Sequence, residues 1–476
     1  MKAFMDKDFL LSNETAKRLY HEYAEDLPII DYHCHIPPKD IALNSRFGNV
    51  TQALLGGGNY GDHYIWRLLR ACGFPEEEVT GDGVADLEKD RLRFHHLAEA
   101  MERAIGNPVY QWLHLELQRY FGVTKPLNRD TADEIFDACN AVLAAPDMNV
   151  RKVIADSNVD VICTTDDPAD TLEWHKMIAE EGALKAKVLP AMRPDKAMNV
   201  EKEGFAEYIK VLGEAAGIEI KCINCLKNAM KKRMDFFGEM GCSVTDHGLD
   251  YVPFRPATDE EVNAIFQKGL RGQPVTDEEA EAFKTWMMLF LGREYAERGW
   301  VMQLHYGAIR NNNTKMYRLK GPDTGFDAIS DRLSGTALAK LLDALAVEGK
   351  LPKTIIYSLN PNDNAMITTV MSCFQVGYGD RNHVQHGSAW WFNDTKPGME
   401  QQITNLANES VLGNFVGMLT DSRSFFSYAR HEYFRRVLCN VLGTWVENGE
   451  YPADEKALAK IVRGICYYNA KEYFGF

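Results

Sequence analysis

Two histidines flank a single cysteine at the end of an apolar run near the N-terminus. The stretch is IIDYHCHIPP, residues 29–38, and it places His33 and His35 two positions apart. If the run is a strand, both side chains point to the same face and both imidazoles can reach one ion. Imidazole nitrogen is a good ligand for Zn²⁺ and related divalent ions. An isolated H-x-H is weak evidence, and the alternative is the polar end of a strand.

Polar residues of the same types end seven further apolar runs along the chain. They are Asp166 and Asp167, Arg193, Asp246 and His247, His305, Asn360, His386, and Asp421 with Arg423. Each one alone could cap the helix that follows it. Together they are too rich in His, Asp and Arg for capping alone, which indicates a site at which they converge.

Eight short apolar runs would position these side chains. They are LPIIDYH (27–33), VDVICTTDD (159–167), KVLPAMRPD (187–195), CSVTDHG (242–248), WVMQLHYG (300–307), KTIIYSLN (353–360), HVQHGSAWW (383–391) and FVGMLTDSR (415–423). Such runs suit strands buried on both faces, and amphipathic helical stretches separate most of them. Strand and helix alternating eight times predict an α/β fold of the (β/α)8 TIM barrel type. A doubly wound open sheet is the alternative.

The remaining segments are helical in pattern. Residues 40–155 separate the first two strands, and we predict them to be a helical insertion within a single barrel domain that spans residues 1–476. Residues 256–298 are a smaller helical insertion, and the chain from Tyr428 onward supplies extra C-terminal helices.

In a barrel the carboxyl ends of the strands form the active site. Strand eight would lie beside strand one, which brings Asp421 next to His33 and His35. Two histidines and one aspartate leave positions open for water or substrate, as a catalytic ion requires. His305 is either a further ligand or an acid–base group, and the alternative is a buried histidine of the core.

Arginines and tryptophans bear on the substrate. A guanidinium at a strand end, such as Arg193 or Arg423, can hold a carboxylate through two parallel hydrogen bonds. The alternative for each is an ion pair with a local aspartate. Trp390 and Trp391 offer flat apolar faces to a sugar ring, and otherwise they are core aromatics.

Composition excludes several classes of function. The formal net charge of −15 over 476 residues argues against nucleic acid or an anionic membrane surface as partner. No apolar run reaches the roughly 18 residues of a membrane span, and the N-terminus lacks a signal-peptide pattern. Ten scattered cysteines are typical of a reduced, cytoplasmic protein.

Two short motifs are misleading. Gly56–Gly61 reads GGGNYG and matches G-x-G-x-x-G, but it follows no strand of a βαβ unit, so we expect no nucleotide cofactor. Its glycines indicate a flexible loop that carries His63 and Tyr64. The C-x-x-C at Cys222 and Cys225 has no second pair, and we interpret it as packing.

Longer motifs identify a family resemblance. The stretches IIDYHCHI, GDHYIWR, AMRPD, WWFND and GMLTDSRSFFSYARHEYFRR occur in this order and cover nearly the whole chain. They resemble the uronate isomerases of the amidohydrolase superfamily. The resemblance implies a distorted (β/α)8 barrel with a helical insertion after strand one. It also implies an aldose–ketose isomerase that interconverts D-glucuronate with D-fructuronate, and D-galacturonate with D-tagaturonate.

The resemblance also implies roles for residues. His33, His35 and Asp421 would be divalent-metal ligands, and His305 would be the superfamily's strand-five histidine. Substrate-contacting residues would be His63, Tyr64, Arg193 and Arg423. Strand four carries Asp246 and His247 without a lysine to bridge two ions, so we expect one ion, zinc. We further expect a small hexuronate substrate and a homo-oligomer.

The expected chemistry is proton transfer through an enediol. Asp421 would be the base, with Tyr64 or His305 as its proton-transfer partner, and an ion or Arg423 would stabilise the oxyanion. Two other classes stay open: a metal-dependent hydrolase or lactonase acting on a sugar acid, and a non-catalytic sugar-acid binding protein.

Overall fold

A parallel sheet lies at the centre of the molecule, for which a computed structural model describes residues 2–476. Within that range the sheet has seven strands in chain order: β1 (Ile29–Asp31), β2 (Val159–Asp166), β3 (Lys187–Met192), β4 (Val244–Leu249), β5 (Val301–Tyr306), β6 (Thr354–Ser358) and β7 (Val384–His386). Every pairing is parallel. Seven of the eight predicted strands are therefore confirmed.

Helices cover most of the remaining chain, and their alternation with the strands confirms an α/β fold. The α-helices are Glu14–Tyr23, Pro38–Ala42, Val50–Leu55, His63–Ala71, Glu76–Thr80, Leu87–Met101, Pro108–Phe121, Ala132–Leu143, Val150–Asp156, Glu173–Glu181, Asp195–Met198, Phe205–Ala216, Ile223–Glu239, Asp259–Leu270, Asp277–Arg298, Thr314–Lys320, Gly335–Ala346, Asn364–Ser372, Lys396–Glu409, Ala429–Glu447, Glu455–Arg463 and Asn469–Phe474. Short 3₁₀ turns lie at Pro361–Asp363, Trp391–Asn393, Leu412–Asn414 and Phe425–Tyr428, and a π-helical turn lies at Gly464–Tyr468. Among residues 2–476, no helix is both long and apolar enough to cross a bilayer.

The segments predicted as insertions are helical. Seven helices lie between residues 50 and 156, and two lie between 259 and 298. The latter two begin with capping boxes, in which Thr258 and Thr276 exchange hydrogen bonds with Glu261 and Glu279. The division into one domain with two insertions stays a prediction.

The prediction of an eighth strand at residues 415–423 is wrong. Gly417 has φ +79° and Asp421 has φ +48°, so the backbone of this described segment leaves the extended region twice. The segment nevertheless lies beside the residues that directly follow β1. The Asp421 N–H donates to the carbonyl of His33 (3.2 Å), and the His35 N–H donates to the carbonyl of Ser422 (2.9 Å). An irregular segment therefore takes the place where the eighth strand was expected.

A buried carboxylate holds this segment beside β1. Asp31 is fully buried and accepts hydrogen bonds from the backbone N–H (2.8 Å) and the hydroxyl (2.6 Å) of Thr420. Burial raises the pKa of Asp31 to about 6, although the two bonds from Thr420 favour its charged form. Thr420 precedes Asp421, so the contact sets the position of Asp421 relative to His33 and His35, which follow β1.

The glycine-rich stretch Gly56–Gly61 forms a small β-hairpin and not the flexible loop that was expected. Gly56–Gly57 pairs with Tyr60–Gly61 in antiparallel orientation. A second hairpin joins Ala308–Ile309 to Ala328–Ile329. At Gly61 a Cβ would lie 2.3 Å from the carbonyl oxygen of Leu55, which explains the glycine there. The expectation failed because close backbone packing leaves no periodic pattern in the sequence.

Arg435 connects the helix Ala429–Glu447 to the segment before β1. Its buried guanidinium donates to the carbonyls of Leu27 (2.7 Å), Pro28 (2.7 Å) and Ala24 (3.1 Å). These residues lead directly into Ile29, so Arg435 helps to fix the start of the strand that precedes the two histidines.

We predict that Arg435→Leu lowers the free energy of unfolding by roughly 3 kcal/mol, because it leaves several buried carbonyls without donors at about 1–3 kcal/mol each. Urea unfolding of the purified protein measures the change. The matched control is Arg381→Leu, whose side chain is 67% exposed and has a 3.8 Å ion pair with Glu472; its effect should stay within about 0.5 kcal/mol. Equal transition midpoints for the two variants would contradict this role for Arg435.

Candidate active site

A cavity of about 460 Å³ lies at the carboxyl end of the sheet, a volume typical of small-molecule sites. It brings together the ten residues that were predicted as metal ligands, catalytic groups or substrate contacts. These are His33, His35, His63, Tyr64, Arg193, His305, Trp390, Trp391, Asp421 and Arg423. The cavity is therefore where their geometry decides what chemistry is possible.

His33, His35 and Asp421 converge on one point of the cavity wall. The Oδ1 atom of Asp421 lies 3.2 Å from Nε2 of His33 and 3.0 Å from Nε2 of His35. Ligand atoms about 2.0–2.2 Å from a tetrahedral zinc ion lie about 3.3 Å from one another. The donor atoms and their spacing thus fit one divalent ion, with room left for a further ligand from the cavity.

A second group shares His33 with Asp246 and His305. Asp246 is already engaged on both sides, because its Oδ1 lies 2.6 Å from Nδ1 of His305 and its Oδ2 lies 3.3 Å from the Arg193 guanidinium. A guanidinium next to the carboxylate disfavours a further cation. This group is therefore less suited to an ion than the first.

The charge states of these groups follow from burial and from their neighbours. Burial raises the pKa of Asp421, but hydrogen bonds with His33 and His35 outweigh it and hold that pKa well below the usual range. Burial lowers the pKa of His305, against the opposing effect of Asp246. At neutral pH the site thus offers an ionised carboxylate beside a neutral imidazole.

Trp390 has a different contact from the one predicted. Its indole Nε1–H donates to Oδ2 of Asp421 (2.7 Å), while its ring packs against His305 with centroids 4.6 Å apart. The tryptophan therefore orients both oxygens of the carboxylate, because Oδ1 faces the histidines. Trp391 is buried beside it and packs against His63, with centroids 5.4 Å apart.

His63 and Tyr64 are the first two residues of the helix His63–Ala71, and both line the cavity. Asp62 is the N-cap, and its side chain accepts from the backbone N–H groups of Tyr64 (2.9 Å) and Ile65 (3.0 Å). The His63 and Tyr64 rings stack with centroids 4.6 Å apart. Burial, with the nearby Arg423, lowers the pKa of His63 to about 3, and burial also raises the pKa of the Tyr64 phenol. Both side chains are uncharged at neutral pH.

Arg193 lines the cavity but is paired within the protein. Its Nε donates to Asp195 (2.7 Å), and its Nη1 lies 3.3 Å from Asp246. The ion pair with local aspartates was one of the two roles considered for Arg193, and it is the one that the geometry favours. Through Asp246 this arginine is linked to His305.

Arg423 faces a carboxylate of the chain itself, and sequence reasoning missed two residues of this cluster. Asp323 lies 3.6 Å from Nη2 of Arg423 and 3.1 Å from Nη1 of Arg310, and both Arg310 and Asp323 line the cavity. The Arg310 guanidinium also lies 5.1 Å from the Trp391 ring centroid. Arg310 follows His305 by only five residues, which could have marked it as a further strand-end arginine.

Four of the other strand-end residues serve the fold. Asp166 accepts a hydrogen bond from Thr164 (2.7 Å), and His386 lies 3.0 Å from the hydroxyl of Thr368. Asn360 accepts from the N–H of Asn362 at the start of a 3₁₀ turn. His247 is fully buried inside β4. Their capping or core roles are the alternatives that the sequence allowed.

Comparison with known proteins identifies the family. The model of the glucuronate isomerase family matches residues 1–474. The chain belongs to the glucuronate isomerase family.

Relatives match this family member over its whole length. The uronate isomerases of Lachnospira eligens and Lachnoclostridium phytofermentans are each 55% identical over 476 residues, covering 100% of both chains. The crystal structure of uronate isomerase from Thermotoga maritima superposes with a TM-score of 0.91 at 36% identity, covering 99% of this chain and 100% of that one. The resemblance drawn from the sequence motifs is confirmed.

The two histidine–aspartate groups can be told apart by metal binding. We predict that His35→Ala weakens zinc binding by at least about 100-fold. The variant removes a ligand, and loss of a residue that only supports a ligand typically weakens binding by about 10–100-fold. The matched control His305→Ala should weaken zinc binding less than His35→Ala does. Competition titration with a chromogenic chelator measures both constants. The reverse order would place the ion in the group of His33, Asp246 and His305.

Proposed function

We propose that this chain is a uronate isomerase that interconverts D-glucuronate with D-fructuronate, and D-galacturonate with D-tagaturonate. The observation that carries the proposal is one cavity that combines two chemically distinct groups. It holds the ion-binding group of His33, His35 and Asp421 together with the guanidinium groups of Arg310 and Arg423. The relatives that bear the name uronate isomerase support the reaction.

The pair of Arg310 and Arg423 fits the carboxylate of a sugar acid. Asp323 already lies between them with its carboxylate within 3.6 Å of both. The two guanidinium groups hold the pKa of Asp323 below its usual range despite burial. A uronate carboxylate has the same charge and hydrogen-bonding capacity, so it can take this position through charge-assisted bonds. Arg193 is a further candidate, because it lines the same cavity and is paired with Asp195 and Asp246 much as Arg310 is with Asp323 and Asp327.

The group of His33, His35 and Asp421 fits the carbonyl and the adjacent hydroxyl of the open-chain sugar. Asp421 is the base: its low pKa keeps it in the proton-accepting form at neutral pH. It takes the proton from the carbon next to the carbonyl and returns it to the neighbouring carbon. Tyr64 keeps its phenolic proton, because burial raises its pKa, and donates a hydrogen bond to the oxygen that becomes negative.

His305 is the second candidate for proton transfer. Its Nδ1 faces Asp246, which fixes the ring, and its Nε2 meets no hydrogen-bond partner among residues 2–476. A free ring nitrogen held by a carboxylate is the arrangement of many acid–base histidines. His63 and the Trp390–Trp391 pair complete the walls around the substrate, and Trp390 also keeps Asp421 oriented.

A divalent ion, which we propose to be zinc, would be held by His33, His35 and Asp421. It would supply Lewis-acid polarisation of an oxygen of the substrate. The residues that line the cavity would orient the sugar beside this group.

Membership of the family also supports proposals on the fold, the oligomeric state, the location and the cofactors. We infer a distorted (β/α)8 barrel in which residues 415–423 complete the ring irregularly, as their bonds to β1 support. We also infer a homo-oligomer in the cytoplasm that needs no nucleotide cofactor. A hydrolase or lactonase on the same cavity is less favoured, because the matched relatives carry the name of an isomerase.

Proton NMR of D-glucuronate in heavy water tests the proposal. We expect ketose signals and incorporation of solvent deuterium at the carbon that receives the proton. A hydrolase would open a lactone or release a new carboxylate without this exchange, and a binding protein would only broaden the signals. Either result would contradict isomerisation.

The same assay tests the base. Asp421→Asn should lower the exchange rate by about 10²–10⁴-fold, the usual contribution of a positioned base, while the variant stays folded by circular dichroism. The control is Asp167→Asn, at the end of β2, where the carboxylate accepts from the hydroxyl of Tyr208 (2.8 Å). It should retain the wild-type rate. Near-normal exchange by Asp421→Asn would rule out this assignment.

A further inference from the structure

The C-x-x-C that the sequence assigned to packing is a pair of touching thiols. Cys222 is the N-cap of the helix Ile223–Glu239, and Cys225 lies in its first turn. Their Sγ atoms are 2.8 Å apart. We propose that Cys222 and Cys225 form a redox-active dithiol that closes reversibly to a disulfide by exchange with low-molecular-weight disulfides.

The two sulfurs are already close to the distance that a disulfide needs. Cys222 is the N-cap, with extended backbone angles (φ −154°, ψ 167°), and its sulfur accepts a hydrogen bond from the Cys225 N–H (3.4 Å), which brings the two side chains together. From their separation of 2.8 Å, the sulfurs must approach by less than about 1 Å to reach the covalent distance of about 2.05 Å. Closing the bond therefore requires only a small shift of the two side chains.

A neighbouring helix fixes this first turn. The Ile223 N–H donates to Oδ1 of Asn263 (3.2 Å), and Nε2 of Gln267 donates to the carbonyl of Lys221 (2.6 Å). Both partners lie on the helix Asp259–Leu270. The two residues that flank Cys222 are thus held, which keeps the thiols in contact.

The start of a 17-residue helix also favours the thiolate. Backbone N–H groups and the positive end of the helix dipole stabilise negative charge there. A hydrogen bond from Cys222, together with nearby N–H groups, lowers the pKa of Cys225. Both cysteines are half-buried and open to small reagents. By contrast, burial raises the pKa of Cys34, Cys163 and Cys439.

The exchange proceeds in two balanced steps. The Cys225 thiolate attacks one sulfur of a disulfide such as oxidised glutathione, whose S–S bond breaks and releases one thiolate that takes up a proton. Cys222, after losing its proton, then attacks the Cys225 sulfur of the mixed disulfide and releases the second thiol. The protein loses two electrons and two protons, and the small disulfide gains them.

Trypsin places both thiols in one peptide, because it cleaves after Lys221 and Lys227. The reduced full-length protein is incubated with oxidised glutathione, alkylated with iodoacetamide, digested and analysed by mass spectrometry. We expect the peptide 222–227 to be two hydrogens lighter than its reduced form, with no glutathione and no alkyl group. Dithiothreitol before alkylation should restore two alkylated cysteines.

Two controls separate a dithiol from two ordinary thiols. Cys222→Ser should leave Cys225 as a stable glutathione adduct, since the resolving thiol is gone. Cys373 is exposed and should carry only the adduct in the wild-type protein. If the wild-type peptide 222–227 instead carries glutathione, or two alkyl groups, the proposal is wrong. The assay does not use turnover, so its outcome is independent of the proposed isomerase function.

Discussion

The contact between Asp31 and Thr420 is the constraint on which the site depends. The ligand group needs a carboxylate opposite the two histidines that follow β1, but the segment that supplies Asp421 is not a strand of the sheet. Two hydrogen bonds from Thr420 to the buried Asp31, with the backbone bonds of Asp421 and Ser422 next to them, hold that segment in place. The positive φ of Asp421 then turns its side chain towards the histidines, a conformation that a non-glycine residue keeps only where its surroundings enforce it.

Charge in the cavity is organised locally, against a strongly acidic whole. The chain carries a formal net charge of −15, yet Arg310 and Arg423 line the cavity with Asp323 between them. In the same cavity Asp246 links Arg193 to His305. Trp390 contacts one oxygen of Asp421, and His33 and His35 contact the other. Short-range pairs of this kind outweigh a distant net charge that salt screens. The arginines and the ligand group therefore suit a molecule that carries both a carboxylate and a carbonyl.

The sequence was informative wherever function depends on periodicity and on strand ends. Seven buried runs are strands, and residues predicted at or just after strand ends, such as Arg193 and His305, line one cavity, because parallel strands deliver their carboxyl ends to one edge. His63 and Tyr64 lie on a helix and were implied only by the family resemblance. Prediction from the sequence failed where a residue acts through contact with a distant part of the chain. The irregular path of residues 415–423 depends on positive φ values, and the bond from Trp390 to Asp421 depends on two distant segments meeting. Arg310 and Asp323 lie on a connection whose course no apolar pattern encodes. The contact of Cys222 with Cys225 requires the N-cap geometry, which the motif alone does not specify.

The most direct test of the account is a crystal structure with zinc and a hexuronate whose carbonyl is reduced to an alcohol, so that it cannot react. Anomalous scattering at the zinc edge locates the ion, and the electron density orients the ligand. We expect one zinc ion on His33, His35 and Asp421, with the ligand carboxylate between Arg310 and Arg423 in place of Asp323. A ligand bound in the opposite direction, with its carboxylate on the ion, would contradict the proposed roles of these residues.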